Sequence, residues 1–367
     1  MKILYIVPNI NNEGGVARVL SIKANYLCEK LGYDVHILTQ NQGNSPLFYS
    51  FNHKIVLHDM ILSGTFFRFI TSYRKALNNT IKACSPDIIL VCDNGLKAFT
   101  IPFILKTKIP IIFECHSSLY IEEHRVHNTF FSKIKNTLKY HYKKKCATQF
   151  DACIALSTES LKEWNFKKRL VIPNPVWIET KVGAQLQSKK VIAVARNSYE
   201  KGLDRLVLIW SKVVQKHPDW VLEIYGKDTN SLAILAQELQ INSHILFNNP
   251  VQNIEEKYLQ SSICVMSSRF EAFPMVLIEA MACGLPCVAY DCHCGPRAII
   301  TNAENGFLIE DGIEQEFVEK VNQLIENENL RIGMGQNAKE SAEKYTIESI
   351  MPSWDALFTS IHLNKTV

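Results

Sequence analysis

The chain has 367 residues, 47% of them hydrophobic and 21% charged, with a formal net charge of +4 at pH 7. That balance excludes a disordered or fibrous polymer and fits a globular protein of two ordinary-sized domains. No apolar run reaches the ~20 residues that cross a bilayer, and "MKILYIVPNI" lacks a signal-peptide cleavage site, so a cytoplasmic protein is expected.

"KILYIVP" reads as a first strand, followed by Gly14 and Gly15 and a helix over 16–31. Glycines between a first strand and its helix let the backbone approach a ligand and present N–H groups to it. No GxGxxG follows, which weakens a dinucleotide oxidoreductase reading. The strands "DVHILTQ", "KIVLHD", "DIILVCD", "IPIIFECH" and "DACIALS" come next, with a further helix over 128–148. His116 stands at the end of "IPIIFECH", where a strand end projects its side chains toward a ligand cleft. A satisfied structural histidine is the competing interpretation.

"RLVIPNPV" closes this series, and a domain is expected over 1–178. The polar stretch 179–189 reads as a linker. A second series of strands begins with "KVIAVAR" and runs through "WVLEIYG", "HILFNNP", "SICVMSS", "PCVAYD" and "GFLI", giving a second domain over 190–345. Strands alternating with helices twice over predict an α/β fold of two doubly wound, Rossmann-like domains with parallel sheets, facing a shared interdomain cleft. The last segment, 346–367, reads as an amphipathic helix that packs back on the N-terminal domain.

Two stretches of the second domain carry chemistry. In "AVARNSYEKG", Arg196 and Lys201 lie at the end of a strand; two cations there can hold a diphosphate and stabilise it as a leaving group. In "RFEAFPMVLIEAMACG", Pro274 and Gly284 bracket a helix over 274–283. Glu271 falls in the loop before it, free to accept hydrogen bonds from ligand hydroxyls. Glu279 falls one and a half turns in, on an apolar helix where a carboxylate needs donors. Vicinal ribose hydroxyls would serve; a neighbouring lysine or arginine is the structural alternative. The backbone of Ala272, Phe273, Pro274 and Met275, through its free N–H groups, is expected to face diphosphate or sugar oxygens.

There are eleven cysteines, and most lie in apolar runs. They fit buried free thiols better than a disulfide framework, and the scattered cluster from Cys283 to Cys294 fits no metal site. Residues 1–180 are strongly basic and the rest is net acidic. The segments 139–146 and 165–169 mix lysines with Tyr140, Tyr142 and Phe166, a composition suited to an anionic membrane surface. Nucleic acid is not expected, because no binding module is present.

Together, "EGG" after the first strand, "VIPNPV", "ARNSYEKG" and the E-x7-E run "FEAFPMVLIEAMACGLP" resemble the retaining glycosyltransferases of family 4, which have the GT-B fold. The resemblance implies transfer of a hexose or N-acetylhexosamine from a nucleotide-diphosphate sugar, UDP-linked by expectation. The acceptor would be a hydroxyl of a lipid-linked or surface glycan such as lipopolysaccharide or capsule. It further implies that Arg196 and Lys201 hold the diphosphate, Glu279 the ribose, and Glu271 with Ala272 and Phe273 the transferred sugar. Gly15 would contact phosphate and His116 would sit beside the reacting sugar, with no cofactor and no metal ion. Ala195, Ala272 and Ala298 depart from the family pattern, which leaves the donor sugar open. A GT-B nucleotide-sugar epimerase and a non-catalytic nucleotide-sugar-binding protein are the alternatives. The basic N-terminal half implies a peripheral position on the inner face of the plasma membrane.

Overall fold

The computed structural model describes residues 1–120, 130–166 and 168–363. The chain divides into two compact units, Met1–Pro175 together with Ile347–Val367, and Val176–Thr346.

The first unit holds strands β1 (Lys2–Ile6), β2 (Asp34–Gln40), β3 (Val56–Met60), β4 (Ile88–Val91), β5 (Ile111–Glu114), β6 (Ala152–Ala155) and β7 (Arg169–Val171). They form one parallel sheet in the order β3-β2-β1-β4-β5-β6-β7. Its central strands are apolar along nearly their whole length because helices cover both faces, so there is no solvent side to mark by alternation. The residues of β4, Ile88 to Val91, are all buried. Helices α1 (Gly15–Glu29), α2 (Phe66–Cys84), α3 (Ile101–Ile104), α4 (Phe130–Ala147) and α5 (Thr158–Lys162) supply the crossovers. The first two residues of the predicted helix over 128–148 lie outside the described residues.

The second unit holds β8 (Lys190–Val194), β9 (Val221–Tyr225), β10 (Ile245–Asn248), β11 (Ile263–Met266), β12 (Cys287–Asp291) and β13 (Gly306–Glu310). These too are all parallel, in the order β10-β9-β8-β11-β12-β13. Helices α6 (Leu203–Lys216), α7 (Asn230–Glu238), α8 (Ile254–Leu259), α9 (Met275–Ala282), α10 (Glu314–Glu326) and α11 (Glu328–Ala342) flank the sheet. Trp210 of α6 and Phe317 of α10 fill the core on one face.

Backbone hydrogen bonds hold part of the stretch read as a linker. Ala184 N–H donates to Cys283 O (2.8 Å), Gln185 N–H to Leu259 O (2.8 Å), and Arg331 Nε to Leu186 O (2.7 Å). Residues 179–189 are thus strapped to the second unit through backbone atoms, and the chain crosses between the units at Pro175 and Val176. All eleven cysteines are buried free thiols.

The last helix, α12 (Ile347–Leu363), returns to the first unit and packs along α1. Beneath it lies a buried ion pair, Lys23 Nζ to Glu114 Oε1 at 2.5 Å, with both side chains almost wholly excluded from solvent. The ammonium also sits 3.6 Å from the centre of the Trp354 ring of α12, a desolvated cation–π contact. Burial alone would raise the Glu114 carboxyl, but the charges and hydrogen bonds of Lys23 and His116 outweigh it and hold it well below the usual carboxylate range. Replacing Glu114 by alanine strands the lysine charge and should cost about 3–5 kcal/mol, read as a lower urea midpoint. Because the folded pKa is depressed, the pair's stabilisation is full above the unfolded carboxyl value of 4.5 and fades as pH falls toward the folded one. Acid titration of stability should therefore show a component that the alanine variant lacks.

Candidate functional site

In the second unit the strand order reverses between β8 and β11. Loops leaving the carboxyl ends of two such strands diverge around a crevice, the standard ligand position of open α/β sheets. The loop after β8 carries Arg196 and Lys201, and the loop after β11 carries Glu271. The structure brings two of these together: Lys201 Nζ lies 2.7 Å from Glu271 Oε1, with the lysine partly and the glutamate almost fully buried. Ser268 Oγ donates to the same carboxylate oxygen at 2.7 Å. Arg196 is mostly exposed and pairs with Glu200 at 2.7 Å. Among the described residues, the buried Ser198 hydroxyl of this loop has no hydrogen-bond partner.

The two loops are sewn to one another. Glu200 O accepts the N–H groups of Arg269 (2.8 Å) and Phe270 (3.3 Å), and Ser267 Oγ donates to Gly202 O (2.8 Å). Arg269 forks onto Asp204 at 2.8 and 2.6 Å, and Arg205 Nη2 reaches Ser267 O at 2.6 Å. Gly202 makes this close approach possible. Its φ is +61°, and a Cβ there would lie 2.3 Å from Ser267 O.

Helix α9 starts at Met275, with Pro274 as its N-cap and no side chain capping it. Pro274 therefore precedes the helix instead of opening it, and having no N–H it contributes no donor to an anion site. Ala272, Phe273 and Pro274 are buried, and the Phe273 ring packs edge-on against Tyr345 at 5.7 Å. Glu279 is buried as well, and two aromatic donors address it. Trp177 Nε1 donates to Oε1 at 2.9 Å and the Tyr258 hydroxyl to Oε2 at 3.3 Å. Burial and the neighbouring carboxylate push the Tyr258 phenol well above its ordinary range, so it remains a donor. Sequence reasoning missed Trp177, Tyr258, Glu200 and Ser268. The first follows "IPNPV" directly, but no spacing rule connects it to a glutamate 102 positions away.

In the first unit, the site residues expected from sequence are more enclosed than expected. His116 lies two residues beyond β5 with its side chain only 5% exposed, Nε2 standing 3.3 Å from Glu114 Oε1. It is seated on the buried Lys23–Glu114 pair. The Gly14 N–H is taken by Asn12 Oδ1 at 2.7 Å, so it is not held open for a ligand. Gly15, the first residue of α1, is exposed, with open space where a Cβ would lie. Of the aromatics assigned to a membrane surface, Tyr140 and Phe166 belong to the core, as does the ammonium stem of Lys143, and Tyr142 alone is exposed. Helical phase explains the first: Tyr140, Lys143 and Cys146 share the inward face of α4. Lys167 of the segment 165–169 lies outside the described residues.

Two parallel-sheet, Rossmann-like units, the second with cationic and acidic side chains at its switch point, define the GT-B class of sugar transferases. Comparison with known proteins agrees. Residues 13–179 match the family model "Glycosyltransferase Family 4", and residues 178–341 match "Glycosyl transferases group 1". An uncharacterized glycosyltransferase of Haemophilus influenzae is 30% identical over 97% of this chain and 99% of its own length. The lipopolysaccharide 1,6-galactosyltransferase of Salmonella typhimurium is 29% identical over 89% of this chain and 90% of its own. Among solved structures, Anabaena HepE in complex with UDP-glucose superposes with a TM-score of 0.78 at 18% identity, covering 98% of this chain and all of that one. The chain belongs to the family 4 glycosyltransferases and is an enzyme of that class.

Gly202 gives a direct check on the geometry. Gly202→Ala places a Cβ against the Ser267 carbonyl at positive φ, so the loop pair must separate. We expect a lower melting temperature, by an amount corresponding to about 1–3 kcal/mol, together with loss of ligand-induced stabilisation in a thermal-shift measurement.

Proposed function

We propose that the protein is a retaining glycosyltransferase that moves a hexose or N-acetylhexosamine from a UDP-linked donor to a hydroxyl of a lipid-linked or surface-glycan acceptor, without a metal ion. The observation that carries the proposal is the convergence of Lys201 and Glu271 at the switch point, with Arg196 on the same loop. A diphosphate can draw Lys201 and Arg196 from their carboxylate partners, since a phosphate competes well for both cations. Released from Lys201, Glu271 accepts hydrogen bonds from the transferred sugar. The cations then stabilise charge as the nucleotide departs, which is the role a divalent ion would otherwise fill. Glu279, deep in α9, takes the ribose hydroxyls. Neither glutamate is assigned as a nucleophile. The UDP-glucose bound by HepE and the lipopolysaccharide acceptor named for the Salmonella relative support the donor and acceptor classes.

The first unit supplies a surface for a lipid-linked acceptor. Along α4, Ile134, Leu138 and Tyr142 are exposed at intervals of four, with exposed Lys133, Lys135 and Lys145 on the same helix. An apolar stripe edged by lysines suits the face of an anionic bilayer, each lysine adding about 1 kcal/mol. Among the described residues, no helix is long and apolar enough to cross a membrane.

Arg196→Ala and Lys201→Ala should each lower turnover with a UDP-sugar about 10²–10³-fold, in an assay that also reads the product anomer by NMR. Near-wild-type rates in both variants, or an inverted anomer, would refute the mechanism. Leu138→Glu should abolish sedimentation with anionic vesicles at low salt while leaving the fold intact; a wild-type chain that fails to sediment removes the membrane claim.

A further inference from the structure

Glu279 sits near two points at which the chain passes from one unit to the other. Val176 is the first residue of the second unit and Trp177 the next, and it is the Trp177 indole that bonds the Glu279 carboxylate. The Val176 N–H donates to Tyr345 O at 2.7 Å, so the incoming strand is fastened to the outgoing one, which leaves the unit after Thr346. Tyr345 in turn packs on Phe273 of the loop before α9, and its hydroxyl donates to Ala298 O at 2.9 Å. Both crossings are therefore anchored on the elements that carry the candidate donor-binding residues.

We propose that Trp177 is a positioning residue for nucleotide binding: its indole N–H fixes the plane of the Glu279 carboxylate so that the ribose hydroxyls of the donor are received. This rests on the reading of the second unit as a nucleotide-sugar site. The chemistry favours such a role. A carboxylate offers about four lone-pair directions, and Trp177 and Tyr258 each address a different oxygen. Both are neutral donors, so they orient the group without bringing a counter-charge of their own. Loss of either donor loosens the orientation of the carboxylate, and re-ordering it on binding would weaken nucleotide affinity. Trp177 also stands on the crossing strand, so displacement of that strand moves the donor of the hydrogen bond. Occupancy of the ribose seat and the backbone conformation at the crossing are consequently linked, each biasing the other.

Isothermal titration of wild-type protein and Trp177→Phe with UDP and with 2′-deoxy-UDP tests this. Phenylalanine retains an aromatic ring and removes only the N–H donor. The variant should bind UDP about tenfold more weakly, as loss of a hydrogen bond to a charged group implies, with a much smaller change for 2′-deoxy-UDP. Wild-type preference for the ribose form should narrow accordingly. Tyr258→Phe, which removes the other donor, should shift the same preference in the same direction, so the test survives a Trp177 variant that folds poorly. Equal UDP affinity in wild type and Trp177→Phe, or an equal loss for both ligands, overturns the positioning role while leaving the donor reading intact. A wild-type chain that binds no UDP overturns the donor reading and this inference with it.

Discussion

The Lys201–Glu271 ion pair is the contact on which the second unit's chemistry depends. Its members come from loops that leave adjacent strands in opposite senses, 70 residues apart in sequence, and they meet only because the sheet order reverses between those strands. Neither side chain is fully solvated, so each screens a charge the other would otherwise leave exposed to a poorly polarisable surrounding. The same contact keeps a cation and an acceptor side by side, the two functions that a sugar joined to a diphosphate demands. The surrounding stitching, from Glu200 to Arg269 and from Gly202 to Ser267, keeps the two loops in register.

Two buried carboxylates in this protein are handled differently, and the contrast separates scaffold from site. Glu114 is neutralised by a full ammonium charge, with His116 and Cys92 also against it. Such a group has its electrostatics settled within the fold. Glu279 is met by an indole and a phenol, which satisfy oxygens without supplying a counter-charge. Donors of that kind orient a buried anion without cancelling its charge. His116 inherits its fixed setting from Glu114, so the first unit presents an already oriented imidazole.

Much of the architecture was legible along the chain, because strands buried on both faces read as short apolar runs and the turn residues between them are unambiguous. Arg196, Lys201 and Glu271 were legible for a related reason: each lies just past the end of such a run, where ligand-facing loops begin. Residues 179–189 read as a linker because polar composition reports exposure of side chains, whereas their attachment to the second unit runs through backbone atoms that composition does not encode. Tyr140 and Lys143 were misassigned to the surface because lysines mask the inward face of α4. The partners of Glu279 and the lysine beneath Glu114 lie 21 to 102 positions away, and only the folded topology brings them close.

The return of α12 to the first unit has a consequence for biogenesis. The second unit is one uninterrupted stretch, and its main core cluster is drawn from its own residues. The first unit emerges earlier but lacks the indole roof over Lys23 until Trp354 is synthesised. Translation order and completion order are thus inverted, and a unit begun earlier waits on a segment made after the second unit for its final consolidation.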